Sequence, residues 1–274
     1  MKIKNKNLFV FALGLIIIGI IGVQVVNANT LPIPNINISV DNANTPKEYV
    51  DNIKLLMLLT VLTLLPSIII MSTSFVRIII VLSLFKSAIG VQQAIPKEVI
   101  IGLALFLTFF TMAPTFTKVN TEALTPYLNN KITQSVAIEK GSKPMRDFML
   151  KQTRAKDLKL FLEVGKLEDT VTNQVDANGK EILTNGKPKP TYDKVPLYAV
   201  IPAFLISELR RAFEMGFLLF IPFIIIDIVT GSILMAMGMM MLPPVMISLP
   251  FKLLLFIMVD GWNLLVKSLI MSFS

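Results

Sequence analysis

Several charged side chains interrupt stretches of the sequence that are otherwise apolar, and they are the groups best placed to carry chemistry. In the second half of the chain these residues are Glu208, Arg210, Arg211, Glu214, Asp227, Lys252 and Asp260. Ionisable groups at membrane depth are costly, and they pair with one another or mark a path for ions or protons. Asp227, Asp260 and Glu214 could carry protons or cations in an ion-coupled transporter. Asp227 and Asp260 could also form the paired aspartates of an intramembrane protease.

Ion pairing is the other use of these charges. On a helix, Glu208 and Arg211 at i,i+3 are neighbours, and so are Arg210 and Glu214 at i,i+4. Four charges within seven residues are hard to place against lipid, so this segment is expected to pack on other subunits or to line a wet path. Arg77, in the first apolar stretch, has two interpretations. Its guanidinium faces protein, water or a carboxylate, or its aliphatic stem carries the charge to the membrane surface.

Two residue types that dominate enzyme active sites are absent from the sequence. The 274 residues include no cysteine and no histidine, which excludes disulfides, thiolate or imidazole catalysis and most zinc or copper sites. No Gly-x-x-x-x-Gly-Lys-Ser/Thr motif occurs, so any nucleotide hydrolysis must come from another protein. No run of basic residues alternates with aromatics, as nucleic-acid binding would favour. The sequence predicts a protein that is not an enzyme, with no cofactor, no metal and no nucleic-acid partner.

A methionine-rich stretch at 231–249 is the most unusual feature of the composition. Six of the fifteen methionines lie here, namely Met235, Met237, Met239, Met240, Met241 and Met246. Methionine is flexible and polarizable, so such a cluster forms a soft apolar surface that repacks around different partners. Pro243 and Pro244 are expected to end a helix. The stretch indicates a compliant lining or seal at a helix break, and a buried core at helical spacing is the alternative.

The elements that must position these residues are hydrophobic helices. The chain is 54% apolar, which indicates an all-α membrane protein. Residues 1–28 have the basic start, apolar centre and small-residue end of a signal peptide cleaved after Ala28. An uncleaved first helix is the alternative. Residues 29–52 then form a polar periplasmic tail.

Two long apolar blocks flank a polar insert. We expect a first broken hydrophobic helical hairpin at 53–116, a small helical domain at 117–196, and a second broken hairpin with the methionine-rich stretch at 197–274. Within the insert, residues 171–193 carry two Asn-Gly pairs and predict a hairpin or a loose loop. Counting from the signal peptide places the insert on the periplasmic side. Broken, charged helices at membrane depth need protein or water around them, so the chain is expected to be an obligate subunit of a larger assembly.

Five motifs in the two hydrophobic blocks form a recognisable set. They are Thr73–Arg77, Gly90–Gln93, Ile101–Thr108, Pro202–Phe213 and Asp227–Pro250. Together they resemble the FliP family of type III protein export gates. The resemblance covers residues 50–160 and 197–274, and the sequence departs from it in the long loop at 165–195 and at Thr230-Gly231. The related injectisome export-gate subunits are the next nearest match.

The resemblance implies a core subunit of the flagellar export gate, in the bacterial inner membrane at the flagellar basal body. It implies a homo-oligomer, expected to be a pentamer, that joins FliQ-like and FliR-like subunits and further export-apparatus membrane proteins. Together these subunits form a helical cone through which unfolded flagellar subunits pass. It also implies that Met239, Met240 and Met241 form a ring gasket around the channel, and flexible thioethers suit that role.

Charged and aromatic positions also acquire roles from the resemblance. Glu208 and Lys252 match charged family positions that are expected to pair and hold the assembly together. The remaining charges expected in inter-helix or inter-subunit salt bridges are Arg210, Arg211, Glu214 and Asp227. Phe148 and Phe161 are candidates for subunit contacts of the insert, with the insert's own core as the alternative. An export-gate subunit must form a large hetero-oligomer, whereas a transporter or a protease could act alone.

Overall fold

The computed structural model describes residues 46–91, 94–173, 183–184, 187–188, 190–239 and 242–273. The signal peptide predicted at 1–28, its cleavage after Ala28 and most of the predicted tail lie outside these residues. The described chain is almost entirely helical and includes long apolar helices, which confirms the prediction of an all-α membrane protein.

Nine α-helices follow one another in the described part of the chain. They are α1 Pro46–Met71, α2 Phe75–Ile89, α3 Lys97–Val119, α4 Thr125–Leu128, α5 Gln134–Gln152, α6 Ala155–Val164, α7 Leu197–Ala236, α8 Pro244–Met258 and α9 Gly261–Met271. A π-helical turn at Asn120–Leu124 joins α3 to α4, and a 3-10 turn at Glu168–Thr170 follows α6. The four short strands are β1 Thr172–Asn173, β2 Leu183–Thr184, β3 Lys187–Pro188 and β4 Pro190–Thr191.

The chain divides into two compact units, Met1–Met57 and Leu58–Ser274. In the first unit the structure describes only the beginning of α1. In the second unit α1 continues to Met71 with every side chain from 58 to 71 exposed, and Pro66 lies inside the helix without ending it. The helix stops where the Ser72 and Thr73 hydroxyls donate to the carbonyls of Ile69 and Ile70, because such local side-chain bonds compete with the helical pattern.

The first hydrophobic block forms α1, the buried helix α2 and the long helix α3. The core face of α2 is a helical stripe of Ile78, Val81, Leu82 and Phe85, all fully or almost fully buried. The helix that starts with α3 runs through the π-helical turn to Leu128 as a continuous 32-residue segment. The first hairpin was predicted to end at residue 116, but the helix continues beyond it and Pro114 lies inside α3. A proline removes one backbone hydrogen bond, and the bonded turns on either side carry the helix past it.

The described helices of the insert pack on the first turns of α7. Met149 of α5, Leu158 and Leu162 of α6 and Val200 and Phe204 of α7 share one buried cluster. The predicted hairpin is present as two short antiparallel pairs, β1 with β4 and β2 with β3. The helices of the insert and the second hydrophobic block therefore fold together.

Helix α7 extends through both hydrophobic clusters of the second unit. Its 40 residues correspond to roughly 60 Å of helix. The first turns pack against α5 and α6, whereas Ala212 and Phe223 join the main core with residues of α2, α8 and α9. One continuous helix thus links the insert to the methionine-rich stretch.

A sharp bend separates α8 from α9. The two helices meet at an angle of 66°, and Asp260 at the junction has left-handed backbone angles, φ 50° and ψ 52°. A Cβ atom on Gly261 would lie 2.0 Å from the Phe256 ring, so the bend requires glycine there. Phe85 and Trp262 surround the same ring, with centroid distances of 4.9 and 5.5 Å.

Three helices in the described residues are long and apolar enough to cross a membrane. They are Asn52–Met71, Lys97–Leu128 and Leu197–Ala236. The bent pair α8–α9 makes a fourth candidate if it acts as one broken span. Much of the apolar surface of these helices is exposed in the isolated chain, so lipid or other subunits must cover it.

Candidate functional site

Residues 237–243 of the methionine-rich stretch connect α7 to α8, and we call them the methionine turn. The structure describes 237–239 and 242–243, which are exposed. Gly238 has a φ of +75°, and the N–H groups of Gly238 and Met239 donate to the carbonyls of Met235 and Leu234, each at 3.0 Å. This is a Schellman motif, in which glycine takes the left-handed position that other residues disfavour. Met239 is 40% exposed. Met240 and Met241, predicted to complete the gasket, lie outside the described residues.

Pro243 and Pro244 were predicted to end a helix, but in the structure they begin one. Helix α7 ends at Ala236, several residues before Pro243. Pro244 instead occupies the first turn of α8, where its missing N–H leaves no intrahelical bond unmade. Gly238 therefore ends one helix and the proline pair begins the next, so the methionine turn has an ordered boundary on each side.

A buried polar cluster joins α7, α8 and the end of α2 below this turn. Lys252 Nζ donates to Asp227 Oδ2 at 2.7 Å and to the Ala88 carbonyl at 3.3 Å. The Ser248 hydroxyl donates to the other carboxylate oxygen of Asp227. Lys252 is only 3% exposed. We call Asp227, Ser248, Lys252 and the Ala88 carbonyl the hairpin latch, because they connect the two helices that carry the methionine turn.

A second buried network surrounds Arg77. Its Nε donates to Glu208 Oε2 at 2.8 Å, and its Nη2 donates to the other carboxylate oxygen of Glu208. Its Nη1 donates to the Ser272 carbonyl at 2.8 Å, and Nη2 also donates to Gln152 Oε1 at 3.0 Å. The Phe273 ring lies 3.8 Å from the guanidinium carbon, close enough for a cation–π contact. Arg77 and Glu208 are completely buried, so Arg77 faces a carboxylate and does not extend to the surface.

The expected ion pair between Glu208 and Lys252 does not form in this chain. Glu208 is bound by Arg77, and Lys252 is bound by Asp227. Both side chains are buried and bound within their own chain, and a pair between subunits stays a prediction. The pairing was expected because both residues match charged positions of the family that the sequence resembles. The sequence does not give the relative position of two helices along their axes.

The other charges of this segment lie nearer the surface. Arg210 Nε donates to Glu214 at 2.7 Å on the same helix, and both side chains are more than half exposed. Arg211 donates to Gln152, so it contacts the Arg77 network. The i,i+4 pair expected on α7 is present, whereas the i,i+3 neighbour of Glu208 does not bind it directly.

Phe148 and Phe161 are half-buried on the helices of the insert. Phe148 makes an edge contact with Phe204 and stacks on Phe273, at centroid distances of 5.9 and 6.4 Å. Phe161 packs against the cluster that α5, α6 and α7 share. Both rings thus contribute to the chain's own packing, and their exposed parts remain the candidate surface for a neighbouring subunit.

The two aspartates expected of a protease have different surroundings. Asp227 is held by Lys252 and Ser248. Asp260 lies at the bend between α8 and α9, exposed beside Trp262 and Gly261. Within the part of the chain that the structure describes, no group of three or more acidic residues could hold a metal ion.

Comparison with known proteins places these features in a family. The model described as FliP family matches residues 58–269 of the chain. The chain belongs to the FliP family. The flagellar biosynthetic protein FliP of Bacillus subtilis (strain 168) is 50% identical over 236 residues, which cover 86% of this chain and 98% of that protein. The FliP of Aquifex aeolicus is 46% identical over 242 residues, which cover 88% of this chain and 92% of that protein. The FliP of Caulobacter vibrioides is 50% identical over 222 residues, which cover 81% of this chain and 76% of that protein.

The part matched by the FliP family model contains most of the site. Arg77, Glu208, the hairpin latch and the methionine turn all lie within residues 58–269. Ser272 and Phe273, which complete the Arg77 network, lie just beyond it. Sequence reasoning missed these two residues and Gln152, because small or neutral side chains carry no signal of their own in an apolar sequence.

Proposed function

We propose that this chain is a core channel-forming subunit of the flagellar type III protein export gate, which passes unfolded flagellar subunits across the bacterial inner membrane. Its relatives carry the name flagellar biosynthetic protein at up to 50% identity. The observation that carries the proposal is the exposed Met239 in the methionine turn, whose two flanking helices are connected by the hairpin latch. In this proposal the chain has no catalytic, metal-binding or cofactor-binding role.

The methionine turn suits a gasket because the helices on either side of it have defined ends, while thioether side chains are flexible. Gly238 and the proline pair define where each helix ends, and the hairpin latch connects the helices below the turn. The thioether side chains are flexible enough to repack around a translocating chain of varied sequence. Met239, Met240 and Met241 from each subunit would form a ring that blocks the passage of ions and opens for a translocating polypeptide.

The remaining surface of the chain supports a role as one subunit among several. Apolar side chains of α1, α3, α7 and α8 are widely exposed, beyond what a soluble monomer tolerates. In our proposal, lipid, further copies in a pentamer, and FliQ-like and FliR-like subunits cover this surface. The other export-apparatus membrane proteins would adjoin this complex. The insert lies on the periplasmic side, with Phe148 and Phe161 as contacts between neighbouring inserts.

The competing functions have less support. In an ion-coupled transporter Asp227 would have to bind and release a cation, yet Lys252 and Ser248 already occupy its carboxylate. An injectisome role is the nearer alternative, but the names of the relatives refer to the flagellum. The flagellar export gate is therefore the function we propose.

A cross-linking experiment tests whether the methionine turn contacts the exported chain. The sequence has no cysteine, so Met239→Cys introduces a unique thiol. In the assembled gate, co-expressed with FliQ-like and FliR-like partners, an export substrate that is arrested by a folded domain and carries one cysteine should form a disulfide with this thiol. The matched control is Ile138→Cys on α5, a residue that is 64% exposed and far along the chain from the turn.

Disulfide formation at Met239→Cys but not at Ile138→Cys would support a channel lined by the turn. Equal cross-linking at both positions, or none at Met239→Cys in a strain that still exports, would contradict it. The mass of the solubilised complex provides an independent check on assembly, because a stable monomer that ignores its partners would contradict the subunit role.

A further inference from the structure

An open cavity lies beside the Arg77 network, where α5 and α7 meet the end of the chain that follows α9. Its volume is about 430 Å³. Residues from α5 and α7 make most of its wall, and Arg77 and Ser272 lie at its base. The lining residues are Arg77, Lys151, Gln152, Arg211, Glu214, Met215, Leu218 and Ser272.

The cavity has more positive charge than its carboxylates balance. Arg77 is neutralised by Glu208, and Glu214 is paired with Arg210. In the described part of the chain no carboxylate forms an ion pair with Lys151, nor does one with Arg211, whose guanidinium donates to Gln152. Two cationic side chains therefore line the cavity with hydrogen-bond donors to spare.

One wall of the cavity is apolar and continues along α7. Met215 and Leu218 line it, and Leu218 is exposed together with other apolar residues farther along the helix. Between Glu214 and the end of α7, residues 215–236 include only one charge, Asp227, which the hairpin latch binds. This stretch is roughly 33 Å long, close to the thickness of about 30 Å that a bilayer's hydrocarbon core has.

We propose that this cavity binds the headgroup of an anionic phospholipid. The phosphate would lie between Lys151 and Arg211, and an acyl chain would follow Met215 and Leu218 along α7. With residues 215–236 crossing the hydrocarbon core, the two cations would lie at the level of the headgroups. Basic pockets between membrane helices bind anionic headgroups, and a guanidinium matches the oxygens of a phosphate. The proposal concerns a lipid ligand and does not depend on the export function.

Native mass spectrometry of the solubilised full-length chain can measure this binding. The probes are phosphatidylglycerol and phosphatidylcholine with identical acyl chains, each added to the same detergent, with inorganic phosphate as a third addition. The test variant is Lys151→Gln, an exposed position whose change should leave the fold intact. The matched control is Lys140→Gln, because Lys140 is also exposed on α5 and lies about three turns away on the same face.

We expect phosphatidylglycerol to be retained in preference to phosphatidylcholine. Lys151→Gln should weaken that retention about tenfold, the effect of losing one charged hydrogen bond, and Lys140→Gln should leave it unchanged. Equal retention of the two lipids, or equal effects of the two variants, would overturn the proposal. Full displacement by millimolar inorganic phosphate would show a free-anion site that makes no use of the apolar wall. If Lys151→Gln reduces the homo-oligomer but not lipid retention, the cavity takes a carboxylate of a neighbouring copy, which also overturns the lipid assignment.

Discussion

Replacing Glu208 by glutamine perturbs the Arg77 network with almost no change in volume. Arg77 would keep its bonds to Ser272 and Gln152 but lose the charge that balances it, while its own surface stays fully buried. Removing one partner of a buried ion pair costs about 3–5 kcal/mol, because the other charge is left uncompensated. The glutamine oxygen can still accept one hydrogen bond from Arg77, so we expect a loss of about 3 kcal/mol, at the lower end of that range.

Thermal unfolding of the solubilised full-length chain measures this loss. At roughly 2–4 °C for each kcal/mol in a chain of this size, the midpoint should fall by roughly 6–12 °C. The matched control is Glu214→Gln on the same helix, because it removes the same charge from an exposed pair. Exposed i,i+4 pairs contribute only about 0.3–0.5 kcal/mol, so this variant should unfold within about 2 °C of the unmodified chain. A shift for Glu208→Gln no larger than that of the control would refute the reasoning.

Exchanging the charges of Glu208 and Lys252 tests whether these two residues bind each other, as expected from sequence, or bind Arg77 and Asp227, as observed. If Glu208 and Lys252 bound each other, the double variant Glu208→Lys with Lys252→Glu would recover the stability that each single change loses. In the observed structure the exchange puts a second cation beside Arg77 and a second carboxylate beside Asp227. We therefore expect the double variant to unfold at a lower temperature than either single variant, and any recovery would contradict the observed pairs.

Two further variants test the latch and the helical bend in the same unfolding assay. Lys252→Met should cost only about 1–3 kcal/mol, because Asp227 keeps its hydrogen bond from Ser248 and, at 30% exposure, can bind water; a loss beyond 5 kcal/mol would contradict this. Gly261→Ala should cost about 1–3 kcal/mol through overpacking, since its Cβ would meet the Phe256 ring at 2.0 Å. Gly102→Ala in α3 has no atom within 4 Å of its Cβ and should be neutral or stabilising by up to about 1 kcal/mol; equal effects of the two glycine variants would argue against a close contact at the bend.

Much of the helical architecture could be predicted because apolar runs and their interruptions are local signals. The strand pairs of the insert correspond to its Asn-Gly pairs, and the long helix α7 corresponds to an apolar run in the sequence. The end of α7 was predicted too late, since proline is the stronger signal in the sequence. In the fold the left-handed Gly238 ends the helix first.

The partners of the buried charges could not be predicted in the same way. Glu208 lies on the stripe of α7 that includes Phe204 and Ala212, both fully buried, whereas Arg210 and Glu214 lie off it. Helical periodicity therefore identifies the buried charge. It does not identify Arg77 as the partner, because that pairing depends on how α2 and α7 are aligned along their lengths.

The Arg77 network also constrains the order in which the helices can reach their final positions during synthesis. Glu208 is 131 residues after Arg77, and Ser272 is 195 residues after it. At about 5–20 residues per second, the ribosome needs on the order of ten seconds to supply the carboxylate, and longer to supply the last partners. During that interval the first hydrophobic hairpin carries an uncompensated guanidinium, which must stay hydrated or bind a headgroup. The final positioning of α2 is therefore a late event in biogenesis that waits for the last helix of the chain.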